Sequence, residues 1–448
     1  MRTGFFVPPA AARYALRHVR VPAALVSGVV APQTADGHLE LDIAIADGRV
    51  AGLAPAGSMD AGSGPDLRQA SVWPTFADLH THLDKGHIWP RSPNPDGSFA
   101  GAFAAVGNDR KKNWLAADIE PRFEFALRCA YAHGVSAIRT HLDSFSPQAE
   151  ISWPVFAKLR DRWAGRITLQ ASSIVAMDPI ATDDGPRLAD LVAKTGGQLG
   201  VVTRLTGQDH VGVPANFDDY MQRVFELAEE RGLDLDLHVD ETGDPTARTL
   251  IRIARMAAKR GFKRPILVGH CCSLSVQPDE AVEETLKLCA DARIDMVSLP
   301  MCNMYLQGRT PARTPARTPR WRGVTVLHEA RAAGLRVAVA GDNVRDPFYA
   351  YGDHDMLETF VQSVRIAQID HPLGDWVKAV TTTPADIMKL PETGRIAAGL
   401  PADLVVLQAR SFSELLSRQQ HDRVVIRNGR AIDTSLPDYR ELDAIVGA

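Results

Sequence analysis

The residues with the clearest potential for chemistry are two histidines near the end of a short apolar run. His80 and His82 stand one residue apart within residues 76–85. If this run forms a β-strand, the alternation of side chains places both imidazoles on the same face. Two imidazoles on one face can bind a single metal ion as adjacent ligands. The chain has 14 histidines, so such a pair can also arise by chance, and its interpretation depends on the residues that follow.

Further polar residues stand where other candidate strands end. His238, His270 and Asp342 each follow a short apolar run. When parallel strands and helices alternate in a barrel, the loops after the strands converge on one rim, where catalytic groups gather. A lone buried histidine is usually a packed core residue, but strand-end positions that recur in this order are not explained by packing. The pattern predicts one metal site built from several strands.

Three imidazoles and a carboxylate suit one divalent metal ion, either Zn²⁺ or Fe²⁺. The predicted metal ligands are His80, His82, His238 and Asp342. Such an ion lowers the pKa of bound water to about 7 and generates hydroxide at neutral pH. Asp342 can also accept the proton that this water loses.

Two further residues are placed to handle protons. Glu241 lies three residues after His238, where a loop carboxyl can pass a proton to a substrate nitrogen. His270 is not needed to complete the metal shell and can hydrogen-bond the hydroxide or the developing oxyanion. Two alternatives stay open. Glu241 can instead cap a helix that begins near Pro245, and His270 can itself be a ligand.

The elements that must position these residues repeat through the middle of the chain. Between about residues 75 and 390, short apolar runs alternate with helix-like stretches, which is typical of a parallel α/β fold. Counting the run with the histidine pair there are eight candidate strands, which favours a (β/α)8 barrel of the TIM type. The other strands are predicted at 137–141, 167–170, 200–202, 235–238, 265–270, 296–299 and 337–340. The predicted helices include 217–231, 245–260, 279–292 and 324–333.

Both ends of the chain have a β-like pattern. Near the N-terminus it covers residues 23–30, 39–45 and, after a turn at Asp47-Gly48, 49–53. Near the C-terminus it covers 403–407 and 424–430. Two β-rich ends around a different middle predict a small β-sandwich domain formed from both termini. The predicted domains are residues 1–74 with 391–448, and the barrel at 75–390.

Composition narrows the class of protein. The chain has 448 residues, 45% of them hydrophobic, and a formal net charge of −4, which gives no electrostatic case for nucleic acid or an anionic membrane surface. No apolar run approaches the roughly 18 residues that span a bilayer. Five cysteines without a C-x-x-C pair argue against a disulfide framework. We expect a cytoplasmic homo-oligomer that acts on a small molecule.

A short tandem repeat interrupts the barrel pattern. Arg309, Arg313 and Arg317 each begin an Arg-Thr-Pro unit. Prolines at this spacing cannot sustain a helix or a central strand, so we expect an exposed loop. The loop is either a lid near the site or a neutral expansion.

With these motifs the chain resembles the amidohydrolase superfamily, and within it the cytosine deaminase-like group of metal-dependent hydrolases. The resemblance runs nearly from end to end, as far as residues 393–399. The matching segments are H-T-H-L-D at 80–84, R-T-H-L-D at 139–143, H-V-D-E at 238–241, L-Q-G-R at 306–309 and G-D-N-V-R-D-P-F-Y-A-Y-G at 341–352. The resemblance implies the same metal shell, with Glu241 as the proton shuttle to the ring nitrogen and His270 in contact with the attacking hydroxide.

The departures from the family pattern concern the substrate. Cytosine deaminase has a glutamine that reads the amide edge of the pyrimidine. The corresponding position falls near Ala176, and Gln170 is a different position. Asn343 replaces the second carboxylate after the metal aspartate, and Phe348 replaces the pocket tryptophan. A site that lacks hydrogen-bond partners for one heterocycle discriminates against it by orders of magnitude. We therefore expect retained chemistry on a changed substrate, and not on cytosine itself.

Other residues near the motifs are candidates for the substrate pocket. Lys85, just after the histidine pair, resembles relatives that act on aminotriazines and other N-heterocycles. Trp89, Met177 and Asn303 are pocket candidates that can equally be packing residues. The full set of candidate substrate-binding residues is Lys85, Trp89, Gln170, Ala176, Met177, Asn303, Asn343 and Phe348.

The predicted reaction is hydrolytic deamination of an amino-substituted N-heterocycle that is cytosine-like, triazine-like or pterin-like. Water attacks the ring carbon that bears the amino group, a tetrahedral intermediate forms, and ammonia leaves. One alternative is hydrolysis of a cyclic amide at the same metal site, which ring opening would distinguish from ammonia release. Ring-opening relatives often use two metals bridged by a carboxylated lysine, and no lysine ends a predicted middle strand. A second alternative is a catalytically inactive scaffold, against which the retained Glu241 and Asp342 argue.

Overall fold

The structure is a computed structural model that describes residues 4–208, 211–310 and 317–447. Part of the predicted repeat loop, residues 311–316, lies outside the described residues. The strands are β1 (Arg13–Pro22), β2 (His38–Ala46), β3 (Arg49–Pro55), β4 (Ser71–Pro74), β5 (Phe76–Thr81), β6 (Val135–Asp143), β7 (Thr168–Ile174), β8 (Leu235–Val239), β9 (Ile266–His270), β10 (Ile294–Ser298), β11 (Val337–Val339), β12 (Leu404–Leu407), β13 (Val424–Arg427) and β14 (Arg430–Ala431).

The α-helices are distributed mainly between the middle strands. They are α1 (Phe99–Asn113), α2 (Ala116–Ala132), α3 (Ala149–Trp163), α4 (Asp184–Thr195), α5 (Phe217–Arg231), α6 (Thr249–Arg260), α7 (Asp279–Asp291), α8 (Pro300–Leu306), α9 (Leu327–Ala332), α10 (Met356–Ala367), α11 (Thr382–Ile387), α12 (Phe412–Ser417) and α13 (Asp443–Val446). Among the described residues, no helix combines the length and apolar character needed to cross a membrane. The fold is mixed α/β.

The chain divides into two compact units. The first contains the residues up to Asp78, Arg128–Ala137 and Asp355–Pro437. The second contains Leu79–Leu127, Ile138–His354 and the residues from Asp438 on. The domain boundaries expected from the sequence, 1–74 with 391–448 and 75–390, stay a prediction.

The first unit contains a seven-stranded sheet in the order β14-β13-β12-β4-β1-β2-β3. Strands from both ends of the chain therefore share one sheet, and their apolar side chains, such as Leu16, Ile43 and Val406, form one buried cluster. The predicted strands at 39–45, 49–53 and 403–407 are confirmed to within a few residues, and the β-like pattern at 424–430 forms β13 and the start of its antiparallel partner β14. The sandwich of two sheets stays a prediction.

The strand predicted at residues 23–30 is wrong. Residues Ala23–Leu25 form a 3-10 helix, and the strand lies one element earlier, at β1. In β1 the side chains of Leu16, Val19 and Val21 are buried, while the charged residues between them reach the surface. The arginines that interrupt the apolar pattern near the N-terminus are therefore partly or fully exposed side chains of a strand whose register shifts between Leu16 and Val19.

Two short sheets lie mainly in the second unit. The first has the order β5-β6-β7, and the second has the order β8-β9-β10-β11 with parallel pairing throughout. Isolated parallel bridges connect further segments: Thr81 pairs with Asp342, Ser172 with Gln198, Leu199 with Leu235, and Val202 with His238.

Most of the predicted middle strands and helices are confirmed, with boundaries shifted by a few residues. The exception is the strand predicted at 200–202, which makes only isolated bridges. A side chain at Gly200 would meet the backbone of Ser173 and Asp236, and this close approach of neighbouring backbones interrupts the regular ladder.

Candidate active site

Four histidines lie together in the second unit. His80 and His82 come from the end of β5, His141 from β6 and His238 from β8. Each offers a ring nitrogen, and these nitrogens all lie within 4.8 Å of one another. The ring of His80 is central, with its centroid 3.9 Å from that of His141 and 4.5 Å from that of His238. This spacing allows several imidazoles to bind one ion.

Asp342 faces this cluster because its backbone is tied to β5. Its N–H donates to the carbonyl oxygen of His80 (2.8 Å), and its own carbonyl accepts from the hydroxyl of Thr81 (2.8 Å). The Asp342 carboxylate Oδ1 lies 3.1 Å from Nε2 of His82 and 3.7 Å from Nε2 of His80. Asp342 also forms a second group of close ligand atoms with His80 and His270.

The chemistry of these residues fits a divalent metal ion. The side chains of His238 and His270 are buried. Among the described residues, both ring nitrogens of His238 and the Nε2 of His270 lack a hydrogen-bond partner. Buried polar atoms are normally satisfied, so these nitrogens indicate a missing partner. Burial, more than the neighbouring charges, holds the pKa of His80, His82 and His238 well below the ordinary histidine value. The imidazoles are therefore neutral, which is the form that binds metal.

Gly269 gives the His80 ring its space. A Cβ on this glycine would lie 3.0 Å from Cε1 of His80 and 3.2 Å from its Nδ1. Gly269 lies in β9, where it pairs with Val297 of β10 on one side and with His238 of β8 on the other. The bare backbone of β9 therefore forms one wall of the histidine cluster.

Glu241 lies two residues beyond the end of β8, beside His270. Its Oε1 is 3.4 Å from Nδ1 of His270 and 3.2 Å from Nδ2 of Asn303. Burial, followed by the negative charge of Asp342, raises the pKa of Glu241 well above its ordinary value. Burial lowers the pKa of His270 to about 3. Glu241 therefore holds its proton more tightly than an ordinary glutamate, while His270 is a neutral imidazole.

The loop that follows His82 is held by Arg122 of α2. The guanidinium is fully buried and donates to the carbonyl oxygens of Asp84 (2.9 Å) and Gly86 (2.8 Å). Its other nitrogens pair with Asp118 at 2.6 and 3.1 Å. A charged donor with a fixed fork geometry fixes the loop at these two carbonyls. Lys85 lies between them in the chain, so its backbone is held on both sides.

Lys85 forms part of a buried charge network at the same place. Its Nζ lies 3.1 Å from one oxygen of Asp143, and Arg110 of α1 donates to the other oxygen (2.7 Å). Burial opposes the charge on Lys85, but the nearby Asp143 and other carboxylates outweigh it and raise the pKa of the ammonium. The Lys85 ammonium also lies 5.5 Å from the ring centre of Phe348. Lys85 is therefore a fixed positive charge.

These residues surround a cavity of about 500 Å³. Its wall includes His82, His238, Glu241, His270 and Asp342, together with the predicted pocket residues Lys85, Asn343 and Phe348. Aromatic rings from Phe99, Phe103 and Phe145 also line it. Flat faces of this kind can stack on a heteroaromatic ring.

Five predicted pocket residues do not line this cavity as it is formed by the described part of the chain: Trp89, Gln170, Ala176, Met177 and Asn303. Gln170 accepts two hydrogen bonds from the Arg139 guanidinium (2.9 and 3.1 Å).

The other four also have structural contacts. Ala176 bridges to Val202, and the N–H of Met177 donates to the carbonyl of Arg204 (3.0 Å). The N–H of Trp89 donates to the carbonyl of Arg345 (2.8 Å). Asn303 lies behind the cavity wall, against His270 and Glu241.

The site also contains residues that sequence reasoning did not assign. His141 joins the histidine group, and its Nε2 lies 3.1 Å from Asp236. Its position in the R-T-H-L-D motif, near the end of a predicted strand, is the sequence signal that could have assigned it to the site. Arg204 follows the segment that bridges to β8 and lies 4.2 Å from the ring centre of Phe103. Phe99 and Phe103 stand on α1, which no pattern in the sequence had pointed to.

Comparisons with known proteins agree with this geometry. The family model described as "Amidohydrolase family" matches residues 176–433. A pterin deaminase from Rhizobium rhizogenes is 51% identical over 451 residues, which cover 100% of both chains.

More distant relatives cover most of the chain as well. An N-isopropylammelide isopropyl amidohydrolase from Pseudomonas is 24% identical over 380 residues, 82% of this chain and 87% of the relative. The structure of 5-methylcytosine deaminase from Klebsiella pneumoniae matches with a TM-score of 0.78 at 22% identity, and the match covers 95% of this chain and 98% of that one. The chain belongs to the amidohydrolase family and is a hydrolase that acts on C–N bonds.

Proposed function

We propose that this enzyme deaminates a pterin, or a closely related bicyclic heterocycle with an amino group next to a ring nitrogen. The observation that carries this proposal is the 51% identity, over the full length of both chains, with a pterin deaminase. The site agrees with it, because the Glu241 carboxyl, whose pKa is raised by burial, a neutral His270 and a group of metal-type ligands share one cavity. The reaction replaces the ring C–NH2 group with C=O and releases ammonia.

For the scaffold, we propose a closed (β/α)8 barrel. In sequence order the eight members of the ring would be β5, β6, β7, the segment 198–202, β8, β9, β10 and β11. The bridges of Ser172 to Gln198 and of Leu199 to Leu235 support the fourth position, and the bridge of Thr81 to Asp342 supports closure of the ring. The composite β-domain, the homo-oligomer and the cellular location expected from the sequence stay predictions.

For the cofactor, we propose one divalent ion, Zn²⁺ or Fe²⁺, held by His80, His82, His238 and Asp342. The ligand atoms of the three histidines lie within 4.8 Å of one another, and Oδ1 of Asp342 lies 3.1 Å from Nε2 of His82 and 3.7 Å from Nε2 of His80. The ring nitrogens of His238 lack other partners among the described residues. When bound, such an ion lowers the pKa of a coordinated water to about 7 and so supplies the nucleophile. Asp342 also has a second carboxylate oxygen that can take up the proton released by this water.

The remaining steps belong to Glu241 and His270. Glu241 gives its proton to the ring nitrogen next to the carbon under attack, so that the electrons of the C=N bond move to that nitrogen as the new C–O bond forms. His270 donates a hydrogen bond to the attacking oxygen. Asp342 then gives the proton that it took from water to the amino group, and the C–N bond breaks with its electrons on the departing nitrogen, which leaves as ammonia. The added hydroxyl gives its proton to the Glu241 carboxylate as the carbonyl forms, which restores the protonated Glu241.

The cavity supports a flat and polar substrate. Its volume, about 500 Å³, lies within the usual range of about 300–1,000 Å³ for small-molecule sites. Phe348 and Phe99, whose ring centres are 5.4 Å apart, form an aromatic wall next to the charge of Lys85. An ammonium at this position can donate hydrogen bonds to a ring carbonyl or ring nitrogen.

An ammonia-release screen tests the proposal. Purified enzyme of known metal content is offered pterin, guanine, cytosine and 5-methylcytosine over a range of concentrations, and ammonia is measured. N-isopropylammelide is included with isopropylamine as the measured product. We expect the highest kcat/KM for pterin and little turnover of cytosine. Ring-opened products without ammonia would instead favour a cyclic-amide hydrolase. Failure of metal-replete enzyme to turn over any compound of the panel would contradict the proposal.

A further inference from the structure

Asn303 lies at the junction of the two proton-handling residues. It stands on α8, its side chain is fully buried, and its Nδ2 lies 3.0 Å from Nδ1 of His270 and 3.2 Å from Oε1 of Glu241. One amide nitrogen therefore faces two groups that are both in hydrogen-bonding range. The cavity lies on the other side of these two groups, so Asn303 contacts the catalytic residues and not the space for the substrate.

The direction of these hydrogen bonds follows from the donors available. The amide nitrogen of asparagine carries two N–H groups and accepts no hydrogen bond. One N–H can point at Glu241, whose carboxyl oxygen accepts it, and the other at Nδ1 of His270. The structure directs the amide nitrogen, and not the amide oxygen, at both groups. In this orientation Nδ1 of His270 is the acceptor, and it is the unprotonated nitrogen of the ring.

This arrangement decides between the two roles that the sequence left open for His270. A neutral imidazole carries one proton, so an acceptor at Nδ1 leaves that proton on Nε2. A histidine that binds metal through Nε2 needs a lone pair there, and normally donates its Nδ1–H to an acceptor. Asn303 offers Nδ1 a donor instead. His270 is arranged to donate.

We propose that Asn303 is a positioning residue that fixes the proton of His270 on Nε2, and so makes His270 a hydrogen-bond donor to the reacting oxygen and not a metal ligand. This inference rests on the proposed function for the identity of the reacting oxygen. The assignment of the ring proton itself depends only on contacts among residues of this chain.

The helix that carries Asn303 is fixed in register with Glu241. The N–H of Asn303 donates to Leu299 (3.0 Å), and its carbonyl accepts from the N–H of Gln307 (2.8 Å). The side chain of Gln307 then donates to the backbone carbonyl of Glu241 (3.2 Å). The same helix therefore holds both the backbone and the carboxyl of Glu241, which keeps the amide of Asn303 directed at its two acceptors.

The direct test reads the ring proton in the full-length wild-type chain. Protein labelled with ¹⁵N-histidine is studied by long-range ¹H–¹⁵N correlation before and after loading with zinc. The His270 signals are those that disappear in the His270→Gln variant. We expect Nδ1 to have the shift of an unprotonated nitrogen and Nε2 that of a protonated one, in both states. A proton on Nδ1, or a zinc-induced shift typical of a ligand nitrogen at Nε2, would overturn the proposal.

Two variants test the consequence for turnover. Asn303→Asp keeps the shape but replaces the donor with an acceptor, so it should move the His270 proton to Nδ1 and lower kcat by about 10²–10³-fold, the usual effect of losing one such donor. Asn303→Leu removes both functions and should leave a mixture of the two ring forms with a smaller loss. KM should change little in either variant, because neither change touches the cavity. Asn216→Asp, at an exposed residue before α5, is the matched control.

The outcomes separate this inference from the proposed function. If no heterocycle of the panel releases ammonia, the proposed function fails, while the position of the His270 proton can still be read. If ammonia is released but Asn303→Asp leaves the ring form and kcat as in wild type, only the role of Asn303 fails. Equal losses of kcat and of folding stability in both variants, with the ring form unchanged, would assign Asn303 to packing alone.

Discussion

Replacing Glu241 by glutamine separates the proton of this side chain from its shape. Oε1 of Glu241 accepts from Asn303 at 3.2 Å, and a glutamine of equal length can present its amide oxygen to the same donor. The metal-type ligands His80, His82, His238 and Asp342 are unchanged. The variant should therefore fold and bind metal as before. What it loses is a group that can release and take up a proton.

The size of the effect follows from the place of Glu241 in the reaction. A positioned acid or base typically contributes about 10²–10⁴-fold to the rate. At about 1.36 kcal/mol for each factor of ten, this corresponds to about 2.7–5.4 kcal/mol of transition-state stabilisation. The carboxyl is buried and its pKa is raised, first by burial and then by the charge of Asp342, so little water is at hand to replace it as a donor. We expect a loss of kcat of about 10³-fold or more, with little change in KM.

Steady-state ammonia release from pterin, measured together with the metal content of each sample, provides the assay. Glu230→Gln on the exposed end of α5 is the matched control, because its surface pair with Arg231 contributes at most about 1 kcal/mol. The refuting result is a Glu241→Gln enzyme with full metal occupancy and the kcat of the wild type. In that case Glu241 would not carry the proton.

Three further predictions use other parts of the structure. Asp342→Ala should lose bound metal and nearly all activity, and elemental analysis that finds full occupancy with normal kcat would contradict the ligand assignment. Phe348→Ala should raise the KM for pterin by about tenfold, the effect of roughly 1.4 kcal/mol of lost stacking and apolar contact, whereas Trp89→Ala, outside the cavity wall, should leave KM as in wild type. Asp355 accepts hydrogen bonds of 2.6 and 2.8 Å from Arg423. These contacts outweigh burial and hold the pKa of Asp355 below its ordinary value. Asp355→Asn should therefore lower the free energy of unfolding by about 3 kcal/mol at pH 7. Because a lowered folded-state pKa stabilises only above the unfolded-state pKa, this difference should shrink as the pH falls below about 5 in urea titrations, and a difference independent of pH would contradict it.

The residues at strand ends were predictable because simple rules determine their direction. Alternation along a strand sets His80 and His82 on one face. Parallel strands with helical connections bring their carboxyl ends together, so His238 and Asp342 line the same cavity although more than one hundred residues separate them. For these residues the sequence pattern alone indicates the neighbourhood.

The substrate wall was less predictable because it depends on the register between distant segments. Gln170 stands on β7 within the predicted strand, but its side chain turns to Arg139 and not to the cavity. Trp89 lies only four residues beyond Lys85, yet the turn held by Arg122 separates the two. A shift of one residue along a strand reverses the face that a side chain occupies. Sequence spacing therefore does not decide which of these side chains reaches a ligand.

The helix α1 shows a second reason why the substrate wall was less predictable from the sequence. Its sequence is rich in alanine and glycine, so it has no strong apolar periodicity of the kind that predicts a helix. Its start is marked only by Ser98, whose hydroxyl accepts from the N–H of Gly101 (2.9 Å). The same helix supplies Phe99, Phe103 and Arg110 to the cavity. A wall of the site can thus stand on an element whose own sequence signal is weak.

The glycine at position 269 limits how this enzyme can be redesigned. Any substitution there introduces a carbon 3.0 Å from the His80 ring, on a strand whose backbone is fixed by pairing on both sides. The ring would have to move, and the metal shell would move with it. A library that randomises residues around the histidines should therefore keep position 269 constant and direct its diversity to α1, which lines the cavity with Phe99 and Phe103 and carries no proposed metal ligand. A new substrate range would then be sought without altering the metal site.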